Sequence, residues 1–586
     1  MADSWQFWID RGGTFTDVIG AAPDGRLVLR KVPSGSVSDG RADPGLAAAF
    51  AMLREAGAPP GEAGHFKVGT TVATNALLER RGSRVLLVTT RGFGDALLIG
   101  NQSRPDIFAL HIQRPAPLFE RVLEVDERIS ADGTVLTTPD LAAVGQALRR
   151  ARNDGLETVA IVLLHGWRHT AHESAIAALA SEAGFAQVTI SHQCLPLPRF
   201  VPRGESTVFE SYLAPALRDF VEGLAAQLNR EAPAARLDFM QSSGGLTGAS
   251  RFRALASVLS GPAGGLIGMA KLGESAGIRR LIGFDMGGTS TDVSVYDGGF
   301  ERRFEHQIAG ARITTPMLDV HTIAAGGGSI LALHDGRCFV GPGSAGADPG
   351  PACYGRGGPA TLTDVQVLLG RLRPDSMPRV FGPGGDAPID PQAARDALAA
   401  LDDAVAPETL AAGFLDVAVA AMANAIRHVS VRQGIDPSGF TLLAFGGAAG
   451  QHACRVAQAC GVDRVLVHPL ASVLSAFGIG VADRIELRRR GLGLPLDAAG
   501  WEAAGRLASE LGEQACAALA EQEPGAAKTA MTVTRLHELR EGHAEISLDI
   551  QGESPEALRG AFAAEHLRRF GYAPALDRLQ IAAVRV

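Results

Sequence analysis

Along the first 200 residues, short apolar runs alternate with amphipathic stretches. Val85-Leu86-Leu87-Val88 and Val159-Ala160-Ile161-Val162-Leu163-Leu164 read as buried strands, and Leu141 to Arg152 carries helical spacing. That order predicts an α/β fold. A second α/β region starts near Arg203, with a long helix from about Ser206 to Arg230 and a glycine-dense span from Ala324 to Gly358, and it ends near Asp483. Arg373 to Asp390, rich in Pro and Gly, reads as a surface excursion. Beyond Arg484, helical stretches at Gly500 to Glu521 and Pro555 to Phe570 surround two strands, Met531 to Leu536 and Ala544 to Ile550, which predicts a small α+β domain. The last residues, Ile581 to Val586, are an apolar run, so either a final strand closes a sheet or the polypeptide continues. The expected domains are 1–200, 201–483 and 484–586.

Two of the apolar patterns flank the same phrase. Asp10-Arg11-Gly12-Gly13-Thr14-Phe15-Thr16-Asp17 returns as Asp285-Met286-Gly287-Gly288-Thr289-Ser290-Thr291-Asp292, each copy between strand-like runs. The pattern D-x-G-G-T-x-T-D predicts a β-hairpin with glycines in its turn. Glycine admits a close backbone approach and offers N–H groups to an anion, hydroxyls add donors, and the leading carboxylate can hold hydrated Mg²⁺. One copy is an ordinary tight turn; two copies point to internal duplication and to phosphate binding. The expected nucleotide contacts are therefore Gly12, Gly13, Thr14, Thr16 and Asp17 in the first copy, and Gly287, Gly288, Thr289, Thr291 and Asp292 in the second. Asp10 and Asp285 are the expected metal ligands.

The chain has 586 residues and a net charge of −8, too long for a single core and without the basic balance that suits nucleic acid. Its four lysines, Lys31, Lys67, Lys271 and Lys528, lie outside any Walker-type loop. Six cysteines without a C-x-x-C pair indicate neither a zinc knuckle nor a disulfide framework, and imply a reducing compartment. The start lacks a secretory pattern and no apolar segment reads as membrane-spanning, so the expected location is the cytoplasm, with no membrane partner.

Further segments carry chemistry. Leu442-Leu443-Ala444-Phe445-Gly446-Gly447-Ala448-Ala449-Gly450-Gln451-His452 is an apolar strand running into a Gly-Gly turn and a helix, where small residues at Gly446, Gly447 and Ala448 let an adenine or ribose lie on the backbone. Asp319 and His321 alternate beside the turn Gly326-Gly327-Gly328, and are candidates for substrate or metal contact, with Gly327 and Gly328 added to the nucleotide set. His165, His169 and His172 have spacings that could converge on a metal, although capping or packing is the commoner use. Cys353 reads equally well as a buried small residue.

The order hairpin, hairpin, Gly-Gly-Ala resembles the ATPase fold of actin, hexokinase and the chaperone ATPases. The resemblance implies two ribonuclease-H-like lobes around a nucleotide cleft, plus the small α+β C-terminal domain. The longer motifs are Val68-Gly69-Thr70-Thr71-Val72-Ala73-Thr74-Asn75, Gly100-Asn101-Gln102-Ser103-Arg104-Pro105, Leu259-Ser260-Gly261-Pro262-Ala263-Gly264-Gly265, Asp319 to Ser329 and Gly341 to Gly355. Together they resemble the hydantoinase A and 5-oxoprolinase family, over a span from Asp10 to about Asp483.

That resemblance implies ATP- and Mg²⁺-dependent hydrolysis of a small cyclic amide, with Asp10, Asp285, Asp319 and His321 as catalytic residues. Phe7 to Gly13 and Gly100 to Pro105 are most similar to the 5-oxoprolinase branch, which implies conversion of 5-oxo-L-proline to L-glutamate through phosphorylation of the amide oxygen. A hydantoin or N-methylhydantoin ring, or a ketone activated for carboxylation, are the alternatives within the family. A nucleotide-operated regulatory module is the alternative of another class. Two positions depart from the family pattern: Ser243, where Asp or Asn is usual, and Ala449, where a third glycine is common. Nothing after Arg484 is similar to a hydantoinase B-type half, so the resemblance also implies a hydantoinase B-type partner, as a separate subunit or as a domain in a missing continuation, and an oligomeric assembly.

Overall fold

The computed structural model describes residues 4–13, 15–34, 42–101, 108–112, 114–522, 531–542, 544 and 547–586. The chain forms two compact units, each assembled from separated stretches: Met1–Ser34, Gly261–Glu301 and Leu318–Ala482 in the first, and Gly35–Ser260, Arg302–Met317 and Asp483–Val586 in the second. Thr14 and the segment Gln102-Ser103-Arg104-Pro105 lie outside the described residues.

In the first unit the strands Trp5–Arg11, Phe15–Ala21 and Leu27–Pro33 form an antiparallel meander. A five-stranded sheet follows, in the order Val320–Ile323, Thr291–Asp297, Arg280–Met286, Thr441–Phe445, Arg464–Val467. Its first three strands run antiparallel to one another and its last two are parallel to the strand before them. In chain order this is 3-2-1-4-5, the arrangement expected of a ribonuclease-H-like lobe, and the fold is mixed α/β.

The helix Pro407–Gln433 packs across this sheet, starting on a proline that needs no N–H partner and stopping at Gly434, whose φ of 65° suits glycine. Phe414, Met422 and Ile426 are fully buried in the core that it shares with Ile282, Phe284 and Leu442. Each such side chain contributes roughly 1.5–3 kcal/mol by leaving water. Contrary to the sequence expectation, this helix is long and apolar enough to cross a membrane by length and composition. Its apolar character matches its place in the core, where more than half of that window is buried.

The second unit contains an all-parallel sheet, Gln187–Ile190, Thr158–Val162, Val85–Thr90, Arg121–Val125. Helices Leu141–Asn153 and Ala171–Glu182 cover it, the first capped by the Asp140 carboxylate, which accepts from the N–H groups of Ala142 and Ala143. The helix Phe200–Glu231 starts earlier than its sequence pattern indicates and carries Pro215 within it. In the same unit an antiparallel sheet of Arg489–Pro495, Leu579–Arg585, Leu536–Glu541 and Leu548–Ile550 packs on the helices Ala498–Gln522 and Pro555–Phe570. The strand expected at Met531 to Leu536 therefore begins where that window ends.

Candidate functional site

Both copies of the repeated phrase fold as hairpins in the first unit. In each, the register sets the two aspartates of the phrase directly opposite one another: Asp10 pairs with Asp17, and Asp285 with Asp292. The turns close alike, with Gly12 N–H donating to Phe15 O and Gly287 N–H to Ser290 O, both at 3.1 Å. Facing like charges destabilise an antiparallel pair, so this placement works against the fold unless a cation offsets it.

The electrostatics bear the mark of that conflict. Burial and the charge of Asp17 push Asp10 up to about 7, with Lys31 acting in the opposite sense. Asp285 is raised well above the ordinary carboxylate range by burial, then by Asp292, Asp10 and Asp17. Asp285 is thus within electrostatic reach of the other three carboxylates. Asp292 is pushed up to about 6 by burial, against the Thr322 hydroxyl, which donates to its Oδ1 at 2.6 Å. Lys31 Nζ stands 2.5 Å from Asp17 Oδ1. Asp10 and Asp285 keep part of their surface open to solvent.

Glycine is required around these groups for want of room. A β-carbon on Gly261, at the start of the helix Ser260–Ser275, would stand 3.2 Å from Asp10 Oδ1. One on Gly446, whose φ is +82°, would fall 2.3 Å from Asp285 Oδ1. The second turn is buttressed from behind: Gly327 N–H donates to Gly287 O at 3.0 Å, Gly328 N–H to Gly288 O at 2.7 Å, and Ala448 N–H to Met286 O at 2.9 Å. Thr363 donates through both its N–H and its hydroxyl to Gly327 O. By contrast, a β-carbon on Gly287, Gly288 or Gly447 would meet nothing within 4 Å, so these three present open backbone. Gly13 and Thr289 are exposed in their turns.

Other expected contacts are directed elsewhere. The Thr291 hydroxyl donates to Ala325 O, and the Thr16 hydroxyl shares a 2.8 Å bond with Ser34, so both threonines brace their hairpins from within. Asp319 and His321 are not brought to the carboxylates. Val293 pairs with His321 and Asp292 with Thr322, so alternation puts His321 on the sheet face opposite Asp285 and Asp292. There His321 lies against His428, with ring centroids 4.8 Å apart, and Asp319 accepts from Arg432 and from Gln433 Nε2 at 3.0 Å, both on the helix Pro407–Gln433. Thr322, which shares the carboxylate face, was missed, because its register was not readable from sequence.

Two of the three clustered histidines have local partners. His172 Nδ1 lies 2.7 Å from Glu127 Oε2, and His169 Nε2 lies 3.3 Å from Ala131 O. Among the described residues no three His, Cys, Asp or Glu side chains form a ready ligand set for a metal ion. Cys353 is buried with Val367 and Phe381, and burial together with Asp364 drives its thiol far above the reactive range. Ala449, in place of a third glycine, is fully buried in the core, where its methyl group packs. His452 is buried against Gln366 and pushed down to about 4, which keeps it neutral.

Two carboxylates, Asp10 and Asp285, with open glycine backbone nearby, fit a divalent cation that keeps most of its water, since added positive charge would relieve their mutual repulsion.

Comparison with known proteins supplies the lineage. The family description "Hydantoinase/oxoprolinase N-terminal region" matches residues 6–184, and "Hydantoinase/oxoprolinase" matches residues 203–488. Caprolactamase subunit alpha of Pseudomonas jessenii is 34% identical over 82% of this chain and 70% of its own length. The chain belongs to the hydantoinase/oxoprolinase family. Another hydantoinase/oxoprolinase relative, 5-oxoprolinase 1 of Arabidopsis thaliana, is 39% identical over 82% of this chain and 41% of its own length. The chain thus spans less than half the length of that relative. The solved structure of the ATP-dependent caprolactamase from Pseudomonas jessenii superposes with a TM-score of 0.86 at 29% identity, covering 99% of this chain and 86% of that one.

Proposed function

We propose that this chain binds Mg²⁺ and ATP at its two hairpins and uses ATP to open a cyclic amide, with 5-oxo-L-proline as substrate and L-glutamate, ADP and phosphate as products. The observation that carries this reading is that Asp10, Asp17 and Asp292 all act on the buried Asp285 within one compact unit, the four at raised proton affinity, beside open glycine turns.

An amide carbonyl is a poor electrophile because nitrogen density is delocalised onto its oxygen. ATP supplies a phosphoryl group that turns that oxygen into a leaving group, after which water opens the ring. Asp10 and Asp285 hold the cation. Gly287, Gly288 and Gly447 present backbone to the nucleotide, while Gly327, Gly328, Ala448 and Thr363 keep the second turn rigid. The chain's contribution is positioning and charge neutralisation.

The 5-oxoprolinase relatives support the substrate. The similarity to caprolactamase favours a second reading, a larger lactam ring. Cytoplasmic location and action with a hydantoinase B-type partner, in an oligomeric assembly, complete the proposal. Phosphate release and glutamate formation, measured with 5-oxo-L-proline and such a partner present, test it. The expected result is tight coupling, lost by about a hundredfold in Asp285→Asn. ATP hydrolysis indifferent to any cyclic amide would favour a nucleotide-operated regulatory module instead.

A further inference from the structure

The second unit holds a cavity of about 1080 Å³. Phe304, Thr315, Arg489 and Arg585 are among the residues that line it. The guanidinium carbons of Arg489 and Arg585 lie 4.5 and 4.9 Å from the centroid of the Phe304 ring, a contact that fixes the two cations against one aromatic surface. The strand end that carries Arg585 is pinned by paired backbone bonds between Val586 and Arg488, each 2.8 Å.

Each guanidinium uses only part of its edge. Arg489 donates to Glu538 through Nε and Nη2, and Arg585 to Asp549 through Nη2. Arg489 Nη1 and Arg585 Nε and Nη1 are buried without a hydrogen-bond acceptor among the described residues, and Arg585 as a whole is only 4% exposed. Buried donors are nearly always paired, and a guanidinium cannot escape the cost by losing its proton. Arg302 adds a third cation. Its Nε donates to Ser243 O at 3.1 Å, and burial with the nearby charge of Arg585 pushes it down to about 10. Glu538 and Asp549 therefore leave this wall of the cavity with positive charge in excess.

We propose that this cavity binds a small molecule bearing carboxylate or phosphate groups, whose negative charge meets the excess positive charge that Arg489, Arg585 and Arg302 place at its wall. Planar guanidinium forks suit such oxyanions, and the volume accommodates a metabolite rather than a bare ion.

Calorimetric titration of the full chain with L-glutamate, glutarate and orthophosphate, each against sodium chloride at matched ionic strength, tests the proposal. The expected result is one saturable site for at least one of these probes. Arg489→Lys, which keeps the charge and loses the fork, weakens it by about tenfold or more. Ser250→Trp, at an exposed position on the cavity lining, blocks it. Asp285→Asn leaves it unchanged. Binding of phosphate alone, or of the carboxylates alone, assigns the ligand class. Should Arg489→Lys fail to fold, Ser250→Trp carries the comparison, together with Arg253→Gln, which removes an exposed cation from the cavity lining and is expected to weaken binding. No saturable binding of any probe, unaltered binding in the cavity variants, or loss in Asp285→Asn would overturn it.

Discussion

At the scale of single residues, the site is held in a state that costs the fold stability. Asp285 is destabilised as an anion by burial and by three neighbouring carboxylates. Asp285→Asn should therefore raise the melting temperature of the unliganded protein by a few degrees, while ATP turnover falls about a hundredfold. Calorimetry and a phosphate-release assay on one preparation check both halves. The sign of the pH dependence follows from the same shifts. Between its ordinary value of 3.8 and about 7, Asp10 holds its proton in the folded chain and loses it in the unfolded one. The folded state binds more protons there, so its stability falls as pH rises through that window and levels off above it. A bound cation competes with that proton. The stabilisation conferred by Mg²⁺ and ATP should thus grow from about pH 5 to about pH 8, and melting curves with and without the pair, across that range, measure it.

At the scale of elements, the backbone geometry makes equally definite demands. Gly446 has a φ of +82° and no space for a side chain beside Asp285. Gly446→Ala is expected to cost more than about 1 kcal/mol and to abolish nucleotide binding together with turnover, as denaturant melts and equilibrium titration would report. Asp319→Asn should behave in the opposite manner. It weakens the bond from the strand edge to Arg432 and Gln433, costs about 1–3 kcal/mol, and leaves the KM for ATP unchanged. The contrast marks what was readable from the sequence. The hairpins were legible because turn chemistry is local: two glycines flanked by apolar runs specify the turn, and the seven-residue spacing then sets the aspartates opposite each other. The face occupied by Asp319 and His321 was not, because it depends on how Val320–Ile323 pairs with a strand thirty residues earlier, which alternation alone leaves undetermined. Thr322 was hidden by the same ambiguity.

At the scale of the whole molecule, each compact unit draws on three separated stretches of chain, and apolar periodicity cannot show which stretches share a core. The α/β class was legible, since alternation of strands and helices is itself the signal. The membrane-length apolar helix Pro407–Gln433 is not legible as a continuous apolar run, because polar positions interrupt it in sequence while its buried face is continuous in space. Both hairpins fall in one unit, which makes the nucleotide claim testable on this chain alone. Calorimetric titration with ATP in the presence of Mg²⁺, repeated with excess EDTA and with Asp10→Asn and Asp285→Asn, is the most direct measurement. One site that vanishes with EDTA and weakens at least about tenfold in each variant is the predicted result; binding of equal strength in all of them would contradict the account.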